Sequence, residues 1–249
     1  LTGEYRKVSS MSSARAFHSL VAIPDNNGVS IFVIGGYSGS TGSYNSVKSV
    51  ERGNFQIGQT NLNWINLDDM DMGRGDCNAT WDKSDRIIIN GGIEQNGGPL
   101  RSGTKISSSE YIEISSNRLF SLPNMGKSRA GHFLGTILEL NGNNLVITAG
   151  GEEGTSTTTE LFENNSWSSH AFAPRKYRYL GASFVDIGGI ARVLGGYDEN
   201  ATAQNTCEWY DVKSGWKYTA NMFRPRAEFD VTFIGGIADS TKSYLAVGG

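Results

Sequence analysis

Short apolar runs that each end in a glycine doublet recur along the chain. Five such runs occur, at Ile31–Ile34, Ile87–Asn90, Leu145–Ala149, Ala191–Leu194 and Tyr244–Val247. Val, Ile, Phe, Tyr and Thr are frequent in these runs and their neighbours, and clusters of Gly, Asn and Ser separate them, as is typical of antiparallel strands. No segment shows a helical period. The pattern therefore predicts an all-β protein.

The doublets repeat at a nearly regular interval. Successive first glycines are separated by 56, 59, 45 and 53 residues. A period of roughly 50 residues is typical of propeller repeats, whose small sheets must stack against their neighbours. We interpret the doublets as structural, because glycine lets the backbone turn and lets a bulky Trp or Tyr of the same repeat approach closely. The doublet residues are Gly35, Gly36, Gly91, Gly92, Gly150, Gly151, Gly195, Gly196, Gly248 and Gly249.

Charged and aromatic residues keep a fixed order around each doublet. An arginine precedes it by 17 to 22 residues, and a glutamate and then an aromatic residue follow it. This order predicts four short strands per repeat, with the tryptophans packed between repeats. The arginines are Arg15, Arg74, Arg129, Arg175 and Arg226, the glutamates are Glu51, Glu110, Glu160 and Glu208, and the aromatic residues are Trp64, Phe120, Trp167 and Trp216.

This combination resembles the kelch motif, and the resemblance covers essentially the whole chain. It implies a kelch-type β-propeller of four-stranded antiparallel blades, with the arginine-led strand innermost, followed by the doublet strand, the glutamate strand and the tryptophan strand. Four complete blades are predicted, together with partial blades at both ends. The complete blades are residues 12–70, 71–125, 126–173 and 174–222.

The two ends have no matching strands within the repeat pattern. Residues 1–11 are predicted to form the outer strand of a preceding or closing blade, and residues 223–249 two inner strands of a further blade. In one interpretation residues 1–11 close a five-bladed ring. In the other, which we favour because kelch rings are expected to interlock complete blades, residues 1–249 are a single incomplete propeller whose missing strands come from sequence outside it.

Composition and charge narrow the classes of function. The 249 residues are 38% hydrophobic and 19% charged, as expected for a folded protein, and no apolar run approaches the length of a membrane span. The formal net charge of −3 gives no basic field that would attract nucleic acid. We therefore expect neither nucleic-acid binding nor membrane insertion.

The residues that could carry catalysis form no recognisable motif. His18 and His132 each lie three residues after a repeat arginine, which predicts a shared packing role. Cys77 and Cys207 lack the short spacing of a metal site and are predicted to be inert, buried thiols. We expect no catalytic residue, no metal site and no cofactor.

The repeat arginines suggest a binding function instead. If their strands are innermost, Arg15, Arg74, Arg129, Arg175 and Arg226 form a ring at the mouth of the channel, where guanidinium groups can bind carboxylates or phosphates. The resemblance to kelch adaptors implies the same location. Alternatively, each arginine bonds nearby carbonyl groups or an acid such as Asp76 or Glu228. The variable loops after the doublets, with Tyr37 and Tyr197, are further predicted partner contacts.

The sequence thus predicts a non-catalytic propeller that binds a protein, an acidic peptide or a glycan. Two alternatives stay open: an enzyme that uses the central pocket on a sugar or small anion, and a structural extracellular component. Asn164 and Asn200 lie in glycosylation sequons, which slightly favours an extracellular protein without fixing its location.

Overall fold

A computed structural model of the chain describes residues 7–25, 27–56, 58, 63–152, 157–174, 179–186, 188–235 and 243–249. These residues contain β-strands and turns but no helix, and hence none that could span a membrane. Four antiparallel sheets of four strands each form the blades of a propeller. The predicted all-β propeller is therefore confirmed.

The first blade carries an additional hairpin. Its strands are β1 (Ser19–Asp25), β2 (Gly28–Ile34), the hairpin strands β3 (Tyr37–Ser40) and β4 (Ser43–Ser46), β5 (Val50–Gln56) and β6 (Asn63–Asn66). The second blade carries a shorter ladder in the equivalent loop. Its strands are β7 (Asn78–Trp81), β8 (Arg86–Asn90), the ladder strands β9 (Ile93–Glu94) and β10 (Thr104–Lys105), β11 (Ser109–Glu113) and β12 (Arg118–Leu122).

The third and fourth blades are simpler, and a two-stranded sheet follows them. The third blade contains β13 (Phe133–Leu138), β14 (Asn144–Ala149), β15 (Thr159–Glu163) and β16 (Ser166–His170). The fourth contains β17 (Ala182–Val185), β18 (Ala191–Leu194), β19 (Cys207–Asp211) and β20 (Gly215–Thr219), and the last sheet contains β21 (Phe229–Gly235) and β22 (Ser243–Gly248).

In each complete blade the strands follow one another outward in chain order. The orders are β1-β2-β5-β6, β7-β8-β11-β12, β13-β14-β15-β16 and β17-β18-β19-β20. The first strands of consecutive sheets contact one another, from β1 through β7, β13 and β17 to β21. The arginine-led strand is therefore the innermost strand, as the motif implied.

Burial follows strand position within the blade. On β1, Ser19, Val21 and Ile23 are buried and alternate with exposed residues, because one face of this innermost strand borders the channel. On β8 the run Ile87–Asn90 is buried on both faces, because neighbouring blades cover both sides of the sheet. The core consequently lies between blades as well as within them.

The glycine doublets connect adjacent blades. Gly36 donates its N–H to the carbonyl oxygen of Arg74 in the next blade, with N and O 2.7 Å apart. Gly35 has a φ of 65°, and a Cβ added to it would lie 2.4 Å from the same oxygen. The closely approaching group is therefore a carbonyl of the next blade, not the Trp or Tyr expected from the sequence.

The two ends of the chain differ from a complete blade. Of the predicted outer strand at 1–11, residues 1–6 lie outside the described residues and residues 7–11 form no strand. At the other end, β22 pairs with β21 and with no further strand among the described residues. Each complete sheet takes its strands from one of the predicted ranges 12–70, 71–125, 126–173 and 174–222, whose boundaries stay predictions.

Candidate functional site at the channel mouth

The repeat arginine of the third blade is buried within its own blade. The Arg129 side chain is inaccessible to solvent, and its Nη1 donates to the carbonyl oxygen of Gly150 at 2.8 Å. Its Nη2 lies 2.9 Å from Oε1 of Glu160, and Oε2 of the same carboxylate accepts the backbone N–H of Gly126 at 2.6 Å. The ion pair therefore joins three strands and the turn that precedes the innermost one.

The first two blades repeat this arrangement. Arg15 Nη2 lies 2.7 Å from Glu51 and Arg74 bonds Glu110, while each arginine also donates to the first carbonyl of its doublet. Burial alone would raise the pKa of Glu51, but the hydrogen bonds from Ser12 and the charge of Arg15 outweigh it and lower the pKa.

These three guanidinium groups do not form the predicted open ring at the mouth. Exposing Arg15, Arg74 or Arg129 to a ligand would require a buried ion pair to break, which is costly because the glutamate would lose its partner. These three arginines instead fit the alternative interpretation, in which each arginine bonds nearby carbonyl groups and an acid. The acid, however, is the repeat glutamate of the same blade, and not Asp76 or Glu228.

The other two arginines differ from these. Arg175 lies outside the described residues. Arg226 donates through Nη1 to the carbonyl of Gly248, and its sheet has no glutamate strand among the described residues.

The mouth itself is built from one left-handed residue per sheet. Phe17, Asp76, Gly131, Leu180 and Glu228 have φ values of 53°, 50°, 57°, 54° and 54°. Each of the last four donates its N–H to the carbonyl oxygen of the residue before it in this series, at 3.1, 3.0, 2.8 and 2.8 Å. We call this series the mouth arc. It joins the beginnings of all five innermost strands through main-chain hydrogen bonds.

An arginine does occupy the mouth, but it is one that the repeat pattern did not indicate. Arg101, in the loop between β9 and β10, bonds both carboxylate oxygens of Asp76 and lies 2.7 Å from Glu228. Its guanidinium carbon lies 4.3 Å from the ring centroid of Phe17. Burial would lower the pKa of Arg101, but the two carboxylates outweigh it and raise the pKa. Arg101 thus links residues that precede three of the five innermost strands, β1, β7 and β21.

The two predicted tyrosine contacts have different environments. Tyr37 is buried, and its hydroxyl donates to Asp76 at 3.1 Å. Burial, and secondly the charge of Asp76, raise the pKa of Tyr37. The hydroxyl group of Tyr37 therefore holds the Asp76 carboxylate and is not available to a partner. Tyr197 is half-buried and packs against Tyr179, with ring centroids 5.4 Å apart. Of the two, only Tyr197 presents part of its ring to solvent.

A cavity of about 440 Å³ lies at the mouth arc, and all five residues of the arc line it. The described residues that line it include three acids, Asp76, Glu228 and Asp230, and Arg101 pairs with the first two.

His132 lies between the second and third blades. The ring is buried, and its Nε2 lies 2.7 Å from the side-chain oxygen of Asn90. Burial and then the charge of Arg129 lower the pKa of His132 to about 3. The ring is therefore neutral at neutral pH and fixed by packing. His18 has a pKa lowered by the same causes, burial and its neighbouring Arg15.

The His132 environment predicts a pH dependence of stability. The unfolded imidazole gains a proton as the pH falls below 6.5, whereas the folded ring does so only near 3, so acid favours the unfolded state in this window. We expect His132 to reduce the free energy of unfolding by up to about 1.4 kcal/mol per pH unit between 6.5 and 3.

Denaturant titrations at several pH values measure this slope. His132→Gln should flatten it, and His170→Gln, which changes a half-buried ring, should flatten it much less. Equal slopes in the parent protein and in His132→Gln would contradict the assigned environment.

The two cysteines are buried, and the two sequon asparagines are exposed. Cys77 and Cys207 are both buried, and burial raises the pKa of the Cys77 thiol to about 11. Asn164 and Asn200 are exposed and lie in turns. Their glycosylation stays a prediction.

Comparison with known proteins gives the fold but no family. No protein-family model matches the chain, and no curated protein matches it. Among solved structures it is similar to one described as the structure of YjhT, with a TM-score of 0.61 and 14% sequence identity. The similarity covers 88% of this chain and 69% of that one. The geometry and this likeness together identify the chain as a β-propeller.

Proposed function

We propose that the chain is a kelch-type propeller whose function is non-catalytic binding of a protein or a glycan. The binding face consists of the loops that follow the glycine doublets and surround the mouth arc. Loops on a rigid scaffold commonly provide recognition. The observation that supports this proposal is that hydrogen bonds connect the first two of these loops to each other.

Gln95 fixes the two loops to each other. Its side-chain amide donates to the carbonyl oxygen of Pro99 at 2.7 Å and lies 3.2 Å from that of Tyr44. The β3–β4 hairpin adds main-chain bonds, from Ser46 to Gln95 at 2.9 Å and from Tyr44 to Gly98 at 3.0 Å. Such preorganisation reduces the ordering entropy that binding would otherwise cost.

The residues that this loop surface exposes suit a polar partner. Ser40, Thr41, Ser43, Asn45 and Asn96 are all exposed. Small hydroxyl and amide side chains form hydrogen bonds and provide little apolar area. This favours a partner that offers hydrogen-bond donors and acceptors, such as a polar protein surface or a glycan.

The test compares matched arginine substitutions on two surfaces. Ser40→Arg with Ser43→Arg changes the tip of the hairpin, where the two residues pair across β3 and β4. Ser168→Arg with Ser169→Arg makes the same change on the outer strand of the third blade, where both residues are exposed. We expect the first variant to lose at least tenfold in affinity, because two bulky cations then stand on the binding surface, and the second to bind normally.

The measurement is binding to an immobilised glycan array and to a displayed peptide library, followed by affinities for the ligands selected by the parent protein. Recovered ligand should have an unchanged mass, whereas the enzyme alternative requires a chemically altered ligand. Selected ligands that bind both variants equally, or that are altered, would refute the proposal.

A further inference from the structure

A second cavity lies at the end of the channel opposite to the mouth arc. Its volume is about 630 Å³, and residues of β1, β7, β13 and β17 line it together with the turns that follow β7 and β17. Small-molecule sites commonly have volumes of about 300–1,000 Å³ and combine a mainly apolar wall with a few polar groups. We call it the far cavity, since neither the mouth arc nor the described loops after the doublets line it.

The wall of the far cavity is largely apolar and partly aromatic. Leu20 on β1 and Leu138 on β13 line it and are 56% and 49% exposed. Trp81 and Phe184, on β7 and β17, are half-buried and line it as well. Ala22, a small exposed residue of β1, completes this part of the wall. Large apolar side chains that remain in contact with water favour a ligand with an apolar body.

A cation is held at the rim of the far cavity. Lys83, in the turn after β7, has a left-handed φ of 67°, which is uncommon for a residue with a Cβ. Its Nζ lies 4.6 Å from the ring centroid of Trp81, where the aromatic face attracts a positive charge. Lys83 forms no ion pair with any described residue, and it is exposed.

The acid beside Lys83 in the sequence and the acid in the wall of the cavity both have other partners. Asp82 lies 2.8 Å from Nε of Arg86, and its side chain is 7% exposed. Asp186 lines the cavity, but it lies 2.9 Å from Arg192 and its side chain is 0% exposed. Neither carboxylate can neutralise Lys83 without breaking its own ion pair. An anion in the far cavity therefore faces a cation that has no carboxylate partner among the described residues.

Hydrogen bonds fix Trp81, which supports Lys83. The indole Nε1 donates to the carbonyl oxygen of Ser84 at 2.6 Å. The carbonyl oxygen of Trp81 accepts the hydroxyl of Thr136, from the neighbouring strand β13, at 2.8 Å. Both the ring and the main chain of Trp81 are thus held in place. Such preorganisation lowers the entropy that binding of an anion at Lys83 would cost.

We propose that the far cavity binds a small aromatic carboxylate, whose ring packs against Leu20, Leu138 and Phe184 and whose carboxylate pairs with Lys83. The apolar wall provides affinity, and Lys83 provides selection for the anion, because a charge-assisted hydrogen bond is stronger than a neutral one. This site goes beyond the proposed loop surface and lies at the other end of the channel, so each can be tested without the other.

Isothermal titration calorimetry with 2-naphthoate tests the proposal on the unmodified chain. The matched neutral probe is 2-naphthamide, which has the same ring system and carries an amide in place of the carboxylate. We expect saturable binding of naphthoate with one ligand per chain. Naphthamide should bind about tenfold more weakly, because a neutral amide cannot form the charged pair with Lys83.

Variants of the protein locate the site. Lys83→Gln should weaken naphthoate binding about tenfold and leave naphthamide binding unchanged, whereas Lys127→Gln, at an exposed lysine that does not line the cavity, should change neither. Ala22→Phe adds a ring to the cavity wall and should weaken both probes, whereas Ala171→Phe, at an exposed alanine away from the cavity, should weaken neither. Circular dichroism checks that each variant folds, and if Ala22→Phe does not, Lys83→Gln with the two probes decides.

Several results would overturn the proposal: no saturable binding of naphthoate, equal affinity for the two probes, or unchanged naphthoate binding by a folded Lys83→Gln or Ala22→Phe variant. Loss of naphthoate binding in the Ser40→Arg with Ser43→Arg variant would assign the ligand to the loop surface and would also overturn it. Normal naphthoate binding by that variant, together with loss of the ligands of the loop surface, would show two separate sites.

Discussion

Arg129→Met is expected to lower the free energy of unfolding by about 3–5 kcal/mol, the usual cost of leaving one member of a buried ion pair without its partner. The side chains of Arg129 and Glu160 are 0% and 2% exposed. Water therefore cannot replace the lost guanidinium, and the carbonyl of Gly150 loses a donor as well. Chemical denaturation of the parent and variant measures the difference.

An exposed ion pair provides the matched control. Arg118 lies 3.8 Å from Asp68, with side chains that are 69% and 57% exposed, so Arg118→Met should change the stability by less than about 1 kcal/mol. Adding Glu160→Leu to Arg129→Met should recover part of the loss, since no charge is then buried alone. A loss below about 1 kcal/mol for Arg129→Met would refute a structural role for this ion pair.

Gly91→Ala is expected to destabilise the fold by about 2–5 kcal/mol, the sum of two effects. Its φ of 61° is costly for a residue with a Cβ, by about 1–2 kcal/mol. The added Cβ would also lie 2.4 Å from the carbonyl oxygen of Arg129, and crowding of this kind costs about 1–3 kcal/mol. The carbonyl cannot move freely, because it accepts the N–H of Gly92 at 2.7 Å.

Gly42→Ala separates the two effects. Gly42 has a φ of 85°, but an added Cβ would have no atom within 4 Å. We expect this variant to lose only the conformational part, about 1–2 kcal/mol. Thermal or denaturant unfolding of the two variants gives the comparison. Equal losses at Gly91 and Gly42 would show that contact between blades at the doublet contributes nothing.

The fold was predictable because its signals are local and repeated. A strand ending in two glycines is visible within six residues, and five occurrences define the period. The innermost position of β1, β7, β13, β17 and β21 followed from the motif and is what the structure shows. The contact at the doublets was misassigned, since nothing in the sequence distinguishes a neighbouring ring from a neighbouring carbonyl.

The arginine site was misplaced, although the sequence contained a relevant signal. An arginine and a glutamate equivalent to Arg129 and Glu160 occur in the same order in the other repeats. A repeated pair of opposite charges indicates an internal ion pair. Arg101 gave no such signal, because it occurs once, in one loop. Its contact with Glu228 spans 127 residues and depends on the path of that loop. The predicted exposed position of Tyr37 was wrong, because its burial beneath Asp76 cannot be inferred from the sequence alone.

In the mouth arc, the main chain determines the shape of the channel entrance, and the side chains determine its chemical groups. Every link in the arc is between main-chain atoms, and five unlike residues, Phe17, Asp76, Gly131, Leu180 and Glu228, occupy equivalent positions. A propeller of this kind can carry an aromatic, acidic or aliphatic side chain at its entrance without a change in the main-chain hydrogen bonds that link the blades. The side chain at the entrance can therefore differ from blade to blade, while the blades remain linked in the same way.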